Sequence, residues 1–115
     1  MLANINRLRK NKDIQKVFKK GRIFKQDLLI LKILSNDLDE SRFAFVISKK
    51  FSKKAVNRNK IKRKLREAVY SNLKKIQKGV DVVVIASPGL ETKDFKEIKE
   101  IISNLFKKAK IINNE

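Results

Sequence analysis

The sequence predicts a single α+β domain in which helices pack on a small sheet. The chain has 115 residues, a length that suits one domain with a modest core. Apolar residues make up 42% of the chain, with helical periodicity in three segments and strand-like runs in three others. These segments follow the order helix, two or three strands, helix, strand, helix. Neither an internal repeat nor a domain boundary interrupts them.

A short first helix is predicted after a basic N-terminal arm. Residues 1–10 are polar and basic and are expected to be flexible. In the following NKDIQKVFKKG, Asn11 is a suitable helix cap, Asp13 falls in the first turn, and Gly21 stands just past the end. The helix is therefore expected to be short, about two turns between Asn11 and Gly21.

Two β-rich runs follow the first helix. Residues 27–34 read DLLILKIL, and residues 42–48 read RFAFVIS with the alternation of a half-buried strand. The polar residues 36–40 between them resemble a turn, so the two runs are predicted to form an antiparallel hairpin. Residues 22–25 are expected to add a short edge strand.

The second half of the chain predicts helix, strand and helix. Residues 56–76 carry the longest helical pattern, which Gly79 is expected to end. The continuous run DVVVIA at 81–86 is typical of a strand that is covered on both faces. Thr92 or Asp94 is then expected to cap a last helix with apolar residues at heptad-like spacing.

Composition narrows the classes of function. The chain has no cysteine and no histidine, which excludes disulfides, thiolate metal sites and the commonest general base. No apolar run approaches the length needed to span a bilayer, and no signal-like segment follows the basic N-terminus. A cytoplasmic protein is expected. The net charge of +18 favours an anionic partner such as nucleic acid or acidic lipid.

The positive charge is concentrated before and within the long helix. Ten lysines and arginines, a third of the thirty in the chain, lie between Lys49 and Arg66, with no carboxylate among them. At about 100° per residue, one stripe of the helix is apolar and would face the core. A neighbouring sector of the helix surface, called here the fan, carries Arg58, Asn59, Lys62, Arg63 and Arg66. The far side carries Lys60, Lys64 and Glu67.

The fan predicts a phosphate-binding surface because three of the seven arginines of the chain lie in it. Arginine offers a planar fork of donors that matches phosphate oxygens, whereas lysine is a point charge. The alternative is an amphipathic basic helix that only keeps the protein soluble. A membrane-surface role is less well supported, because lipid-binding helices place bulky apolar residues at the interface and this stripe is needed for the core.

The motif AVNRNKIKRKLREA, placed after FVISKK and before DVVVIA, resembles the protein subunit of bacterial ribonuclease P. That family carries an Arg-Asn-Arg core, a Lys-Arg pair and a further Arg-Glu on one helix, and the first helix ending in FKKG fits too. The resemblance covers nearly the whole chain. Lys60 departs from it, standing where the family has its second arginine, and little loss is expected there because position 60 points away from the fan.

The resemblance implies an α-β-β-β-α-β-α order, a mixed sheet and a left-handed β-α-β crossover, against the usual right-handed rule (a ribosomal protein S5 domain 2-like fold). It also implies a surface that binds the catalytic RNA subunit. We expect that surface to comprise Arg58, Asn59, Lys62, Arg63 and Arg66, together with Lys49, Lys50, Lys53 and Lys54.

The same resemblance implies a cleft for the single-stranded 5′ leader of precursor tRNA. Phe18 matches an aromatic position of that cleft, although core packing is the alternative for this side chain. Ile14 and Lys32 stand where the family often has aromatics, so Lys32 is expected to meet leader phosphate instead.

No catalytic residue and no metal site are expected in the chain itself. Metal-dependent nucleases gather carboxylates around Mg²⁺, whereas the twelve acids here are scattered. Without histidine, only Lys or Tyr70 remains as a base. The resemblance assigns the chemistry to the RNA subunit with its Mg²⁺, and precursor tRNA as substrate. A ribosomal or general structured-RNA-binding protein is the alternative. A DNA-binding helix-turn-helix is disfavoured by the strand predicted just before the basic segment.

Overall fold

The computed structural model describes residues 6–47 and 55–112, and it has the predicted α+β class and element order. The first half contains one helix and three strands. The second half contains one strand between two helices. The elements are α1 (Asn11–Lys20), β1 (Arg22–Gln26), β2 (Leu29–Ser35), β3 (Arg42–Ile47), α2 (Ala55–Tyr70), β4 (Val80–Ala86) and α3 (Phe95–Lys108).

The predicted hairpin between the second and third strands is wrong. The strand order is β1-β2-β4-β3, so β4 lies between β2 and β3. It pairs antiparallel with β2 and parallel with β3. The loop after β2 also turns towards β4, since the backbone N–H of Asn36 donates to the Gly79 carbonyl at 2.7 Å. The most apolar strand thus takes the centre of the sheet, where both of its faces can be buried.

The two faces of the sheet have different covers. Helices α2 and α3 pack on one face and form the larger core with alternate sheet residues such as Leu31, Phe43 and Val82. The first helix packs on the other face, called here the α1 face, where Val17 meets Val83 in a smaller cluster. Because β3 and β4 are adjacent and parallel, the connection through α2 is the expected β-α-β crossover. Its left hand is what the family resemblance implies.

Local sequence signals at the ends of α1 and at the start of α3 are confirmed at two positions and wrong at one. Asp94 caps α3, since its side chain accepts from the backbone N–H of Glu97 at 2.8 Å and the Glu97 carboxylate accepts from that of Asp94 at 3.4 Å. Gly21 ends α1 as predicted, and a Cβ there would lie 2.5 Å from the Val17 carbonyl oxygen. Asn11 is wrong as the cap, because it is already the first helical residue and Lys10 holds the cap position.

The second helix is shorter than predicted. It ends at Tyr70 and is followed by a 3₁₀ turn over Leu73–Lys75, whereas the periodic pattern continues to residue 76. The side chains of Ser71 and Asn72 both donate to the Ala68 carbonyl, at 2.7 and 3.1 Å. Side-chain donors of this kind compete with the helical backbone, which explains why the helix ends here while the apolar spacing does not.

Candidate nucleic-acid interface

The buried stripe of α2 fixes the direction in which its basic residues point. Ile61, Leu65, Ala68 and Val69 are all buried in the larger core, as the helical wheel predicts. The charged residues of the same helix are therefore turned away from the core. Lys49, Lys50, Lys53 and Lys54, which were expected to extend this surface, lie outside the described residues.

One flank of α2 forms a cationic groove with the N-terminal segment. Lys62 and Arg66 of the helix and Arg7 and Arg9 of the segment line a cavity of about 240 Å³, called here the arm groove. Its apolar lining consists of Leu8, Ile14, Phe43, Ala44, Phe45 and Val46. Cations from two distant parts of the chain thus meet over an apolar floor, an arrangement that suits a polyanion carrying apolar groups.

The N-terminal segment was expected to be a flexible arm, yet residues 6–8 lie against the edge of the sheet. The side chain of Asn6 is buried and donates to the Ser41 carbonyl at 2.8 Å. The backbone N–H of Leu8 donates to the Phe43 carbonyl, also at 2.8 Å. These contacts hold the segment in place, so that Arg7 and Arg9 line the arm groove. Sequence reasoning missed both arginines, although the alternation of buried Asn6 and Leu8 with Arg7 and Arg9 is the signal of an edge strand.

The other flank of α2 faces the start of α3. A groove of about 430 Å³, called here the α2–α3 groove, is lined by Lys60, Arg63, Lys64, Glu67 and Phe95. The wheel assigned Arg63 to the same fan as Lys62 and Arg66, and it left Lys60 and Lys64 on a plain solvated side. Arg63, at the edge of that fan, also lines the groove of the two lysines. Arg58 is half-buried and Asn59 exposed, one turn before Lys62 and Arg63.

The residues expected to bind the leader meet on the α1 face. Lys32 of β2 holds its ammonium nitrogen 4.6 Å from the centre of the Phe18 ring, within cation–π distance. Both side chains are half-buried, as is Ile14, which lies one turn before Phe18 and lines the arm groove. Phe18 therefore packs at the edge of the smaller cluster and keeps part of its ring accessible.

An apolar band crosses the sheet on this face. Ile85 of β4 is in register with Ile30 of β2 on one side and with Val46 of β3 on the other. All three side chains are half-buried, whereas the neighbouring Val83 is fully buried. Between Phe18 and the arm groove, the α1 face thus offers accessible apolar surface next to positive charge.

A partly buried ion pair joins β3 to β4 and extends to α1. Arg42 of β3 donates from Nε and Nη2 to the two carboxylate oxygens of Asp81, at 2.9 and 2.7 Å. Its Nη1 lies 3.5 Å from the Asp13 carboxylate on α1. Asn36 also donates to Asp81 at 2.7 Å. The hydrogen bond to Asp81 raises the pKa of Arg42 above its ordinary value. Sequence reasoning missed this pair.

The acidic side chains in the described part of the chain do not gather as metal ligands. Within residues 6–47 and 55–112, no three or more Asp or Glu side chains converge as metal ligands. Asp81 and Asp13 are instead engaged by Arg42. In the same part of the chain, no helix combines the length and the apolar character needed to cross a membrane.

The described residues thus form a small basic α+β domain with a mixed four-stranded sheet. Cationic grooves along α2 make this domain suited to binding phosphate. The sequence model of the Ribonuclease P family matches residues 2–110, and the chain belongs to this family.

Relatives and solved structures agree with this assignment. The chain is 39% identical over 110 residues to the "Ribonuclease P protein component" of Alkaliphilus oremlandii, covering 96% of both chains. It superposes with a TM-score of 0.87 on a mutant RNase P protein from Staphylococcus aureus described as defective in mRNA degradation activity, at 30% identity over 94% of this chain and 91% of that one. The RNase P protein from Thermotoga maritima gives a TM-score of 0.81 at 37% identity, covering 89% of this chain and 96% of that one.

Proposed function

We propose that this chain is the protein subunit of a ribonuclease P ribonucleoprotein, which removes the 5′ leader from precursor tRNA. The arm groove is the observation that carries the proposal. It brings Arg7, Arg9, Lys62 and Arg66 together beside the accessible α1 face, so that one continuous surface offers both phosphate donors and apolar contacts. Single-stranded nucleic acid needs this combination, because its phosphates and its unstacked bases are both exposed.

The two RNAs would use different parts of this surface. The basic side of α2, with Arg58, Asn59 and Arg66 among its residues, contacts the catalytic RNA subunit. The leader passes over the α1 face, where a base stacks against Phe18 and Lys32 meets a phosphate. Ile14 supplies apolar contact between Phe18 and the arm groove. The leader would thus bind next to the RNA subunit rather than at a separate site.

The chemistry would belong to the RNA. The described acids of this chain do not fit Mg²⁺, which prefers carboxylates and waters in octahedral geometry, because they do not converge and the buried Asp81 is neutralised by Arg42. Mg²⁺ would be held by the phosphates of the RNA subunit and would supply the activated water and the stabilisation of the leaving oxygen. The protein positions the substrate and lowers phosphate repulsion.

A cleavage assay tests the proposal. The RNA subunit is incubated with precursor tRNA at low Mg²⁺ concentration, with and without this protein, and release of the leader is followed. The protein is expected to restore cleavage, because its cations replace part of the counterion charge that low Mg²⁺ removes. Arg66→Ala should weaken binding to the RNA subunit by about 1–3 kcal/mol, as loss of a charge-assisted contact does. Lys107→Ala, in the last turn of α3, is the matched control.

The alternative is a general structured-RNA-binding protein. Such a protein would bind mature and precursor tRNA equally and would leave the rate of cleavage unchanged. Both functions predict that affinity falls steeply with salt, so salt dependence alone does not separate them. Equal affinity for the two tRNAs together with no stimulation of cleavage would overturn the proposed function.

A further inference from the structure

The α2–α3 groove is a second concave surface, and Arg63 is its one lining residue that the sequence assigned to RNA binding. Its volume of about 430 Å³ lies within the range of about 300–1,000 Å³ that is typical of pockets for small organic groups. It lies across α2 from the arm groove, since Arg63 and Lys64 line one and Lys62 and Arg66 line the other. The two grooves therefore share a helix but open on opposite flanks.

Phe95 gives this groove an aromatic wall. The ring belongs to the first residue of α3 and is 40% exposed, whereas Ile98 and Ile102, on the next turns of the helix, are fully buried. The capping box of Asp94 and Glu97 fixes the start of the helix and so the position of the ring. A single exposed apolar side chain is ordinary on a protein surface. What sets Phe95 apart is that the groove it lines is cationic.

Besides Phe95, the groove is lined by three cations and one acid. Lys60, Arg63 and Lys64 line the groove with Phe95, and Glu67 is the one carboxylate among the lining residues. The excess positive charge selects an anionic ligand, and the aromatic wall selects a planar group. A nucleotide carries both features, and stacking on an aromatic ring between cationic side chains is how unpaired nucleic acid is commonly bound.

We propose that the α2–α3 groove binds an unpaired nucleotide of the catalytic RNA subunit, with its base on Phe95 and its phosphates on Lys60, Arg63 and Lys64. This inference rests on the proposed function. The RNA subunit is the occupant because the leader is assigned to the α1 face, whereas α3 packs on the opposite face of the sheet. An RNA that already contacts α2 reaches the groove by continuing around the same helix.

Photo-crosslinking in the reconstituted ribonucleoprotein tests which molecule fills the groove. A photoreactive phenylalanine analogue is incorporated at position 95 of the full chain, and the adducts formed with RNA subunit and precursor tRNA are mapped. Adducts at unpaired nucleotides of the RNA subunit are expected. The proposal would be overturned if adducts formed only with precursor tRNA, with a second copy of the protein or with RNA helices. It would also be overturned if no RNA adduct formed.

A pair of substitutions tests the stacking itself. Phe95→Tyr keeps a planar ring and should leave the affinity for the RNA subunit within about twofold, whereas Phe95→Leu keeps only apolar bulk and should weaken it roughly tenfold. Lys64→Ala should also weaken it, and Lys107→Ala, outside the groove, should not. Thermal unfolding of each variant shows whether the protein is folded in the binding assay. Equal affinities of the tyrosine and leucine variants, both folded, would overturn the stacking assignment.

The two proposals fail in different ways. If the unmodified protein stimulates cleavage at low Mg²⁺ but the Phe95 variants bind RNA equally, only the groove assignment is wrong. If the unmodified protein neither binds the RNA subunit nor stimulates cleavage, the proposed function is wrong, and the groove assignment falls with it.

Discussion

The two faces of the sheet differ in how completely the helices bury their side chains. Under α2 and α3, the inward residues of the two inner strands are buried, as Leu31 and Val82 show, and half-buried residues are confined to the edge strands. On the α1 face only the centre is closed, around Val17 and Val83, and the side chains around it are half-buried. The first face stabilises the fold by removing apolar surface from water. The second leaves apolar surface accessible to solvent, so it contributes less to the stability of the fold.

The largest expected effect is on the closed face. Phe106 is fully buried in the larger core, and its ring centre lies 6.4 Å from that of Phe43. Phe106→Ala should lower the free energy of unfolding by about 3–5 kcal/mol, because it leaves a cavity that the core cannot refill. Urea denaturation measures this change in the free energy of unfolding, and Phe18→Ala on the α1 face is the matched substitution. An equal loss of stability from both would contradict the difference between the faces.

The second effect concerns the ion pair between Arg42 of β3 and Asp81 of β4. Arg42→Met should lower the free energy of unfolding by about 2–3 kcal/mol, since it strands the carboxylate of Asp81, which is 5% exposed, while Arg42 itself is partly solvated. The double variant Arg42→Met with Asp81→Asn should recover part of this loss, because no buried charge is then left unpaired. Additive losses in the denaturation curves would show that the two residues do not act as a pair.

The third effect is on binding rather than stability. Phe18→Ala should weaken the affinity for precursor tRNA by about 1–3 kcal/mol, the range for loss of one base stacked on an aromatic ring. Mature tRNA, which lacks the leader, should bind as before. The comparison of the two tRNAs is made by equilibrium titration of the ribonucleoprotein. If both affinities fall together with folding stability, Phe18 is a core residue and the two faces differ less than we infer.

The smallest effect is expected at the partner of Phe18. Lys32→Met keeps the aliphatic stem and removes the charge that is proposed to meet a leader phosphate, which should cost about 0.5–1 kcal/mol of leader affinity, as loss of an exposed charge pair does. Lys74→Met, at an exposed position in the 3₁₀ turn after α2, controls for the loss of one positive charge. Titrations at two salt concentrations measure both variants. An effect at Lys74 as large as that at Lys32 would mean that only total charge matters.

Sequence alone determined the features that depend on one segment. The continuous β-branched run predicted β4 as a strand covered on both faces, and it is one of the two inner strands, with six of its seven residues buried. Asp94 and Glu97 determined the start of α3 through a capping box. The spacing of Ile61, Leu65 and Val69 determined which stripe of α2 is buried. Periodicity and capping act between residues a few positions apart, so they can be read from the order of residues.

Only the tertiary structure decided which distant segments meet. The polar loop after β2 fits a hairpin, but β2 pairs with β4 because that choice buries the most apolar strand at the centre of the sheet. The N-terminal segment lies on the edge of β3 and brings Arg7 and Arg9 to α2, and Arg42 finds its carboxylate 39 residues away in Asp81. The helical wheel also could not show that Arg63 shares a groove with Phe95, because that groove exists only once α3 packs beside α2. Such contacts depend on how faces of separate elements fit together, and no local pattern records that.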